Sequence, residues 1–231
     1  MRSEAEGLEL AREAAGRGTS VLYGTPHLTD VFSLTPKRRR EVEHHWRSMA
    51  GPAADAGIDL QLGWELGPHD ELLEHDPAEL RLGDLEACLL ELPLPHIRHR
   101  DLDLTMRCIE HVEQAGMCVV IAHPERCDIV HRRPQELDGL VERGCLLQVN
   151  ATSLLGYHGA ECERLGWELL KDGRCSFVAS DGHRAARPPF LDDAFAQAVE
   201  VVGEQEARRV FEGEAAKQIP TRRCFGASSR A

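Results

Sequence analysis

The chain has 231 residues, of which 42% are hydrophobic, and this fits one domain with an adequate core. Its 27 Lys and Arg residues against 39 Asp and Glu residues give a net charge of −12, which argues against a general nucleic-acid-binding surface. The apolar runs are shorter than the roughly 18 residues of a membrane span, so we expect no membrane insertion. The eight cysteines form no C-x-x-C and follow no signal-peptide pattern, which predicts reduced thiols and a cytoplasmic location.

The N-terminal residues predict a helix followed by a strand. Ser3 and Glu6 form a capping box, in which each side chain can bond the backbone N–H of the other residue. Apolar residues recur after it at helical spacing until Gly16 and Gly18, where we expect the helix to end. The stretch "SVLYG" (20–24) then predicts a strand.

A second helix and strand follow. Thr35 supplies a side-chain oxygen for an N-cap, and Pro36 suits the first helical position because its missing N–H has no partner there. We expect Gly51 and Pro52 to break or kink this helix. The next strand is predicted over residues 59–65.

The rest of the chain alternates between apolar strands and helix-like stretches. The further predicted strands are 86–92, 117–123, 145–150 and 176–180, and the helix-like stretches include 101–115, 134–143 and 159–171. Six apolar strands spaced by helices predict a parallel sheet covered on its faces, as an α/β barrel or a doubly wound sheet. We expect a single domain over residues 1–219 and a flexible tail over 220–231.

Polar side chains cluster at or just past the ends of the predicted strands. In chain order they are His27, Glu65, Glu91, His123, Asp181 and His183. Loops converge into active sites at the carboxyl ends of parallel strands, and imidazoles with carboxylates are ligands for divalent metals. Because five of the six predicted strands end in this way, the sequence predicts a metal site at the strand ends.

The remaining histidines lie on helical or loop patterns, and we expect them to lie outside the site. They are His44, His45, His69, His75, His96, His99, His111, His131 and His158.

Six ordered sequence blocks resemble the motifs of the bacterial protein-tyrosine phosphatases of the PHP superfamily, which are associated with capsular and exopolysaccharide synthesis. The blocks are "YGTPH" (23–27), "LGWEL" (62–66), "LLELP" (89–93), "IAHPER" (121–126), "LLQVNATSLLG" (146–156) and "ASDGHRAARPPFL" (179–191). The resemblance implies a distorted (β/α)7 barrel with up to three divalent ions at the strand ends. Manganese is the expected ion, with iron or zinc as alternatives.

The resemblance also assigns roles to individual residues. Glu65 matches the carboxylate that bridges two metals, and Glu91 and His123 match further ligands of one of them. Asp181 matches a ligand of the neighbouring ion. His27 and His183 match ligands of the third ion, and Arg126 and Arg187 match arginines that hold the substrate phosphate. Pro124 is expected to stiffen the backbone between His123 and Arg126.

One part of the family pattern is missing from this sequence. The family begins with a short strand carrying Asp-x-His-x-His and a loop with a further Asp, whereas "MRSEAEGLELAREA" resembles the helix that follows that loop. The first barrel strand is therefore expected to be missing, with fewer ligands at two metal positions. Either a misplaced start codon or a truncated member accounts for this.

Three functions remain open on the residues alone. The first is dephosphorylation of phosphotyrosine on a protein of the capsule or exopolysaccharide system, with a capsule-associated tyrosine kinase as the implied partner. The second is hydrolysis of a small phosphoester such as histidinol phosphate, which requires much of the same metal set. The third is a PHP fold without catalysis. The resemblance favours the tyrosine phosphatase.

Overall fold

The computed structural model describes residues 3–93 and 102–221, which form an α/β fold. The strands are β1 (Val21–Gly24), β2 (His27–Leu28), β3 (Asp59–Leu62), β4 (Glu65–Leu66), β5 (Ala87–Glu91), β6 (Cys118–Ala122), β7 (Leu146–Asn150) and β8 (Cys175–Ala179). The helices are α1 (Glu4–Gly16), α2 (Pro36–Asp55), α3 (Leu102–Gln114), α4 (Asp128–Arg132), α5 (Glu136–Glu142), α6 (Ala151–Leu154), α7 (Ala160–Lys171), α8 (Asp192–Val202) and α9 (Glu204–Phe211). All six predicted strands are present.

The two predicted N-caps form. The Oγ of Ser3 accepts a hydrogen bond of 3.2 Å from the backbone N–H of Glu6, at the start of α1. The Oγ1 of Thr35 accepts one of 3.2 Å from the backbone N–H of Arg38, at the start of α2. Each cap satisfies an N–H group that has no partner inside its helix.

Of the two outcomes predicted at Gly51 and Pro52, the break is wrong, because the helix continues through Pro52 to Asp55, and the kink stays a prediction. A proline there removes one backbone hydrogen bond and costs about 3 kcal/mol. The last turn is nevertheless held by packing: Ala53 is fully buried in a small cluster with Ala11 and Ile58. Tertiary contact therefore outweighs the local preference.

The strand predicted over residues 59–65 is divided into β3 and β4, and the strand predicted over 20–24 is followed by a further short strand, β2. β1 pairs with β3, and β2 pairs with β4, in the same parallel register. Between the pieces, the N–H of Gly63 donates to Gly24 O (2.9 Å), and the N–H of Glu65 donates to Pro26 O (3.3 Å). Pro26 itself cannot donate, which interrupts the ladder just before His27.

The main sheet has six parallel strands in the order β2-β4-β5-β6-β7-β8. Its edge strands curve toward each other: the rings of His27, on β2, and His183, beyond β8, have centroids 6.0 Å apart. Among the described residues the sheet is barrel-like and does not close. This agrees with the predicted PHP-type barrel that lacks its first strand.

Alternate residues of the central strands enter different parts of the core. Leu90 and Ile121 belong to the large cluster under the helices. Leu89 and Val120 belong to a smaller cluster on the opposite face of the sheet, together with Ile219. This two-residue alternation follows from the pleat of the strands.

The C-terminal segment is anchored where it reaches the smaller cluster. Pro220 O accepts a hydrogen bond of 2.7 Å from the N–H of Glu86, and Thr221 bridges to Leu85. The predicted flexible tail therefore begins with two anchored residues, and its remainder, 222–231, lies outside the described residues.

Two expectations from the composition can be compared with the described residues. No described helix has the length and apolar character to cross a membrane. The seven cysteines in the described ranges are free thiols.

The strain at Pro52 predicts a stabilising substitution. Pro52→Ala restores an N–H to the last part of α2, and we expect the free energy of unfolding to rise by about 1–2 kcal/mol after the added unfolded-state entropy is deducted. Urea denaturation followed by circular dichroism measures the change. Pro36→Ala is the matched control, because the first helical position needs no N–H and should show little or no gain. Equal gains in both variants would contradict the explanation.

Candidate metal and phosphate site

Polar side chains from five of the six strands meet at the carboxyl-terminal edge of the main sheet. His27 lies on β2, Glu65 begins β4, Glu91 ends β5, His123 follows β6, and Asp181 follows β8. Parallel pairing brings these strand ends to one edge, so residues far apart in the sequence become neighbours.

The first group of side chains surrounds Glu65. Its Oε1 lies 2.9 Å from Nε2 of His123, and its Oε2 lies 3.6 Å from Nδ1 of His27. Glu91 completes the group, with its Oε1 3.5 Å from Nε2 of His123. Glu65, Glu91 and His123 are buried, whereas the His27 side chain is 39% exposed. Each oxygen of Glu65 therefore faces a different imidazole.

Burial and charge act together on this group. Burial raises the pKa of the Glu91 carboxyl above its usual value, and the negative charge of Glu65 raises it further. Burial lowers the pKa of His123, but the hydrogen bond to Glu65 and the charges of Glu65 and Glu91 outweigh this effect, so that its pKa is raised. The two carboxylates thus stabilise positive charge between them.

The second group surrounds Asp181. Its Oδ2 accepts hydrogen bonds from Nη1 of Arg126 (2.9 Å) and Nδ2 of Asn150 (2.7 Å), and it forms an ion pair with Nη2 of Arg187. Its Oδ1 lies 3.5 Å from Nδ1 of His183. Burial raises the pKa of Asp181, but the positive charges of His123 and Arg187 outweigh burial and lower it.

The backbone at this edge is unusual at two residues. His123 (φ 32°) and Asp181 (φ 49°) are the non-glycine residues with positive φ within the described ranges. This left-handed conformation is uncommon for residues other than glycine and tends to persist where the surrounding contacts require it. Both residues were predicted as metal ligands from their positions at strand ends.

The "HPER" turn explains how a buried strand ends in these residue types. Pro124 begins a short 3-10 turn, which the N–H of Arg126 closes on His123 O at 2.9 Å. The turn directs His123 to Glu65 and Arg126 to Asp181. Glu125 lies between them and is fully buried.

The structure brings all eight predicted site residues to the same edge. Most of them contact either Glu65 or Asp181. His27 contacts Glu65, His183 contacts Asp181, and the rings of these two histidines lie next to each other where the two groups meet. Arg184, which follows His183, is exposed and makes a backbone turn with Arg187.

The donor set fits a divalent metal ion. Ligand atoms of His27, Glu65 and Glu91 lie within 4.8 Å of one another. In addition, the buried Nδ1 of His123 has no hydrogen-bond partner within the described ranges. Nitrogen and carboxylate oxygen ligands in a buried, acidic group suit manganese, iron or zinc.

The family follows from comparison with known sequences. The family described as "Capsular polysaccharide synthesis, CpsB/CapC" matches residues 2–220. The chain belongs to this family. The predicted resemblance to the capsular tyrosine phosphatases is confirmed.

Two named relatives cover most of this CpsB/CapC chain. Tyrosine-protein phosphatase YwqE of Bacillus subtilis is 28% identical over 220 residues, which is 94% of this chain and 80% of YwqE. Tyrosine-protein phosphatase CpsB of Streptococcus agalactiae is 27% identical over 218 residues, which is 89% of this chain and 86% of CpsB.

Solved structures agree with the fold. A crystal structure described under YwqE from Bacillus subtilis and CpsB from Streptococcus pneumoniae, metal-dependent tyrosine phosphatases, matches with a TM-score of 0.77 at 25% identity, covering 94% of this chain and 87% of that one. A D-hydantoinase structure matches with a TM-score of 0.53 at 12% identity, covering 89% and 64%, and it shares the fold alone.

Sequence reasoning missed several residues of the CpsB/CapC site. Asn150 contacts Asp181 directly, although the "LLQVN" block was used only for the resemblance. His158 was expected to lie outside the site. Burial and the positive charges of Arg126 and Arg187 lower its pKa to about 4, so it lies within electrostatic reach of both. Its position within the glycine-containing stretch 154–159 was the available signal.

In the loop that contains Asp181, we expect Gly182 to be sensitive to substitution. A Cβ on Gly182 would lie 2.7 Å from backbone atoms of Pro189, so Gly182→Ala must displace the loop and should lower the free energy of unfolding by about 1–3 kcal/mol. Gly139→Ala is the control, because Gly139 has open space in α5 and alanine there should add up to about 1 kcal/mol. Urea denaturation measures both. If the free energy of unfolding changed in the same direction in both variants, the role of the Pro189 contact would be contradicted.

Proposed function

We propose that this chain is a metal-dependent protein-tyrosine phosphatase that acts on a phosphotyrosine protein of capsular polysaccharide synthesis. The observation that carries the proposal is the meeting of two arginines, Arg126 and Arg187, on one anionic oxygen beside a buried group of carboxylates and imidazoles. The named functions of YwqE and CpsB support the same conclusion.

The metal ligands are proposed to be the six residues at the strand ends. They are His27, Glu65, Glu91, His123, Asp181 and His183. When bound, divalent ions would acidify a water molecule and neutralise charge on the phosphoryl oxygens. Manganese is the proposed ion, with iron or zinc as alternatives. Glu65 suits a bridging position because its two oxygens face different imidazoles.

The arginines are proposed to hold the phosphoryl group. Arg126 and Arg187 already converge on Oδ2 of Asp181, which shows that both guanidinium groups can reach a single anionic oxygen. A planar guanidinium orients phosphate oxygens and offsets their charge, which increases during transfer. The low pKa of His158 keeps this neighbour neutral at pH 7, so the two arginines supply the local positive charge.

The setting of this activity is also proposed. We infer that residues 1–219 form one phosphatase domain, that the chain works in the cytoplasm, and that a capsule-associated tyrosine kinase is the phosphotyrosine partner. The acidic net charge of −12 supports a protein substrate over a nucleic acid.

A comparison of two substrates tests the proposed activity. We expect the chain, supplied with Mn²⁺, to hydrolyse a phosphotyrosine peptide with a higher kcat/KM than histidinol phosphate, and to lose this activity when the metal is chelated. Preference for histidinol phosphate would favour the small-molecule phosphatase. Bound metal with no hydrolysis of either substrate would favour a fold without catalysis.

Substitution of the arginines tests the phosphate contact. We expect Arg126→Ala and Arg187→Ala each to lower kcat/KM for the peptide by about 100- to 1,000-fold, the typical loss when one oxyanion donor is removed. Arg184→Ala is the control, because Arg184 is exposed and should change kcat/KM by only a few-fold. Steady-state kinetics and elemental analysis are measured together. Unchanged kinetics in both variants at full metal content would refute the assignment.

Substitution of ligands tests the metal centre. We expect Glu65→Ala and His123→Ala to lower Mn²⁺ affinity by more than about 10-fold, because each leaves an incomplete set of ligands. Glu65→Ala should lose more, since Glu65 contacts both His27 and His123. Elemental analysis and calorimetry measure the loss, with the exposed His44→Ala as the control. Parent-like occupancy in both ligand variants would exclude these roles.

A further inference from the structure

Asn150, the last residue of β7, is fully buried and bonds through three of its polar groups. Its backbone N–H donates to Oε1 of Glu125 at 3.0 Å, and its Nδ2 donates to Oδ2 of Asp181 at 2.7 Å. Its Oδ1 accepts from Nε2 of Gln148 at 2.8 Å.

These bonds close a ring through three strand ends. Glu125 and Arg126 are adjacent in the turn after β6, and Glu125 binds the backbone of Asn150 while Arg126 binds Asp181. Asn150 completes the ring, because its backbone N–H bonds to Glu125 and its side chain bonds to Asp181. Asn150 therefore adds a second connection between the arginine turn and the Asp181 loop, beside the direct bond from Arg126 to Asp181.

The orientation of the asparagine amide is also determined. Gln148 donates to its oxygen, so its nitrogen is left to face Asp181. Reversing the amide would place two donors against each other at Gln148 and two acceptors against each other at Asp181, in a buried location where unmade hydrogen bonds are costly. The pair Gln148 and Asn150 thus specifies a donor toward the carboxylate.

The two oxygens of Asp181 have different surroundings as a result. Oδ2 accepts hydrogen bonds from Asn150 and Arg126 and forms an ion pair with Arg187, whereas Oδ1 lies beside His183. A carboxylate whose one oxygen is fully occupied by donors can present only the other to a cation. Asn150 thereby separates the arginine side of Asp181 from its cation side.

We propose that Asn150 is a positioning residue that acts through Asp181. It holds the Asp181 carboxylate so that Oδ1 faces a divalent cation while Oδ2 aligns Arg126 and Arg187. The inference rests on the proposed metal-dependent function. Residues that orient a metal ligand typically contribute 10- to 100-fold to metal affinity or activity. Neither Asn150 nor Gln148 needs to touch the substrate or the cation.

A double-mutant cycle separates this role from a general loss of structure. We expect Asn150→Ala to weaken Mn²⁺ affinity by about 10-fold or more in the parent chain, measured by calorimetry. In an Asp181→Asn background the same substitution should have no further effect, because Asn150 acts through that carboxylate. Equal losses in both backgrounds, or no loss in the parent chain, would overturn the proposal.

Two further variants control for stability. Ser176→Ala removes a hydrogen bond from Leu147 N (3.2 Å) within the same pair of strands and should leave Mn²⁺ affinity unchanged. Gln148→Met keeps Asn150 but frees its amide, and we expect a loss of several-fold. If Asn150→Ala does not fold, the Gln148→Met variant decides: parent-like affinity in it overturns the proposal.

The kinetics distinguish this inference from the proposed function. For Asn150→Ala, peptide hydrolysis should recover as Mn²⁺ is raised, which a purely structural defect would not allow. If the parent chain binds Mn²⁺ but does not hydrolyse phosphotyrosine, the proposed function fails, and the affinities in the cycle still decide the role of Asn150. A parent chain that binds no Mn²⁺ contradicts both.

Discussion

The architecture of the site depends on one constraint: three carboxylates, two of them buried and one partly buried, lie close together at one end of a parallel sheet, where each needs a positive partner. Glu65 and Glu91 share His123, and Asp181 takes Arg126 and Arg187. Buried charges are stable only when paired and hydrogen-bonded, so the loops at this edge must supply these partners with good geometry. A cluster of this kind also attracts divalent cations, which links the stability of the edge to its proposed chemistry.

The backbone at the edge follows from the same constraint. His123 and Asp181 adopt left-handed conformations, which extended strands do not provide, and each is held by short turns and hydrogen bonds at its own strand end. The "HPER" turn serves both groups, because its first residue, His123, contacts Glu65 and its last, Arg126, contacts Asp181. Strain at these two residues is maintained by the rigid sheet beneath them, whose central strands are buried on both faces.

The proposed metal and phosphate groups of this CpsB/CapC chain are connected through neutral side chains as well as charged ones. Asn150 and Gln148 carry no charge and lie on a strand, yet they determine which oxygen of Asp181 faces the arginines. Glu125 ties the same strand to the arginine turn, with Ser153 Oγ donating to it at 2.6 Å. The Asp181 group is therefore joined to the arginine turn by charged and by neutral hydrogen bonds.

The sequence by itself determined the six strands, the capped starts of α1 and α2, and the candidate ligands, because apolar runs, capping residues and strand-end polar residues are local signals. Six ordered motifs also indicated the family. Only the tertiary structure decided the continuation of α2 through Pro52, the anchoring of Pro220, the contact of Asn150 with Asp181, and the effect of the arginine charges on the pKa of His158. These features depend on contacts between residues distant in the chain, and no local pattern records which oxygen a buried amide will face.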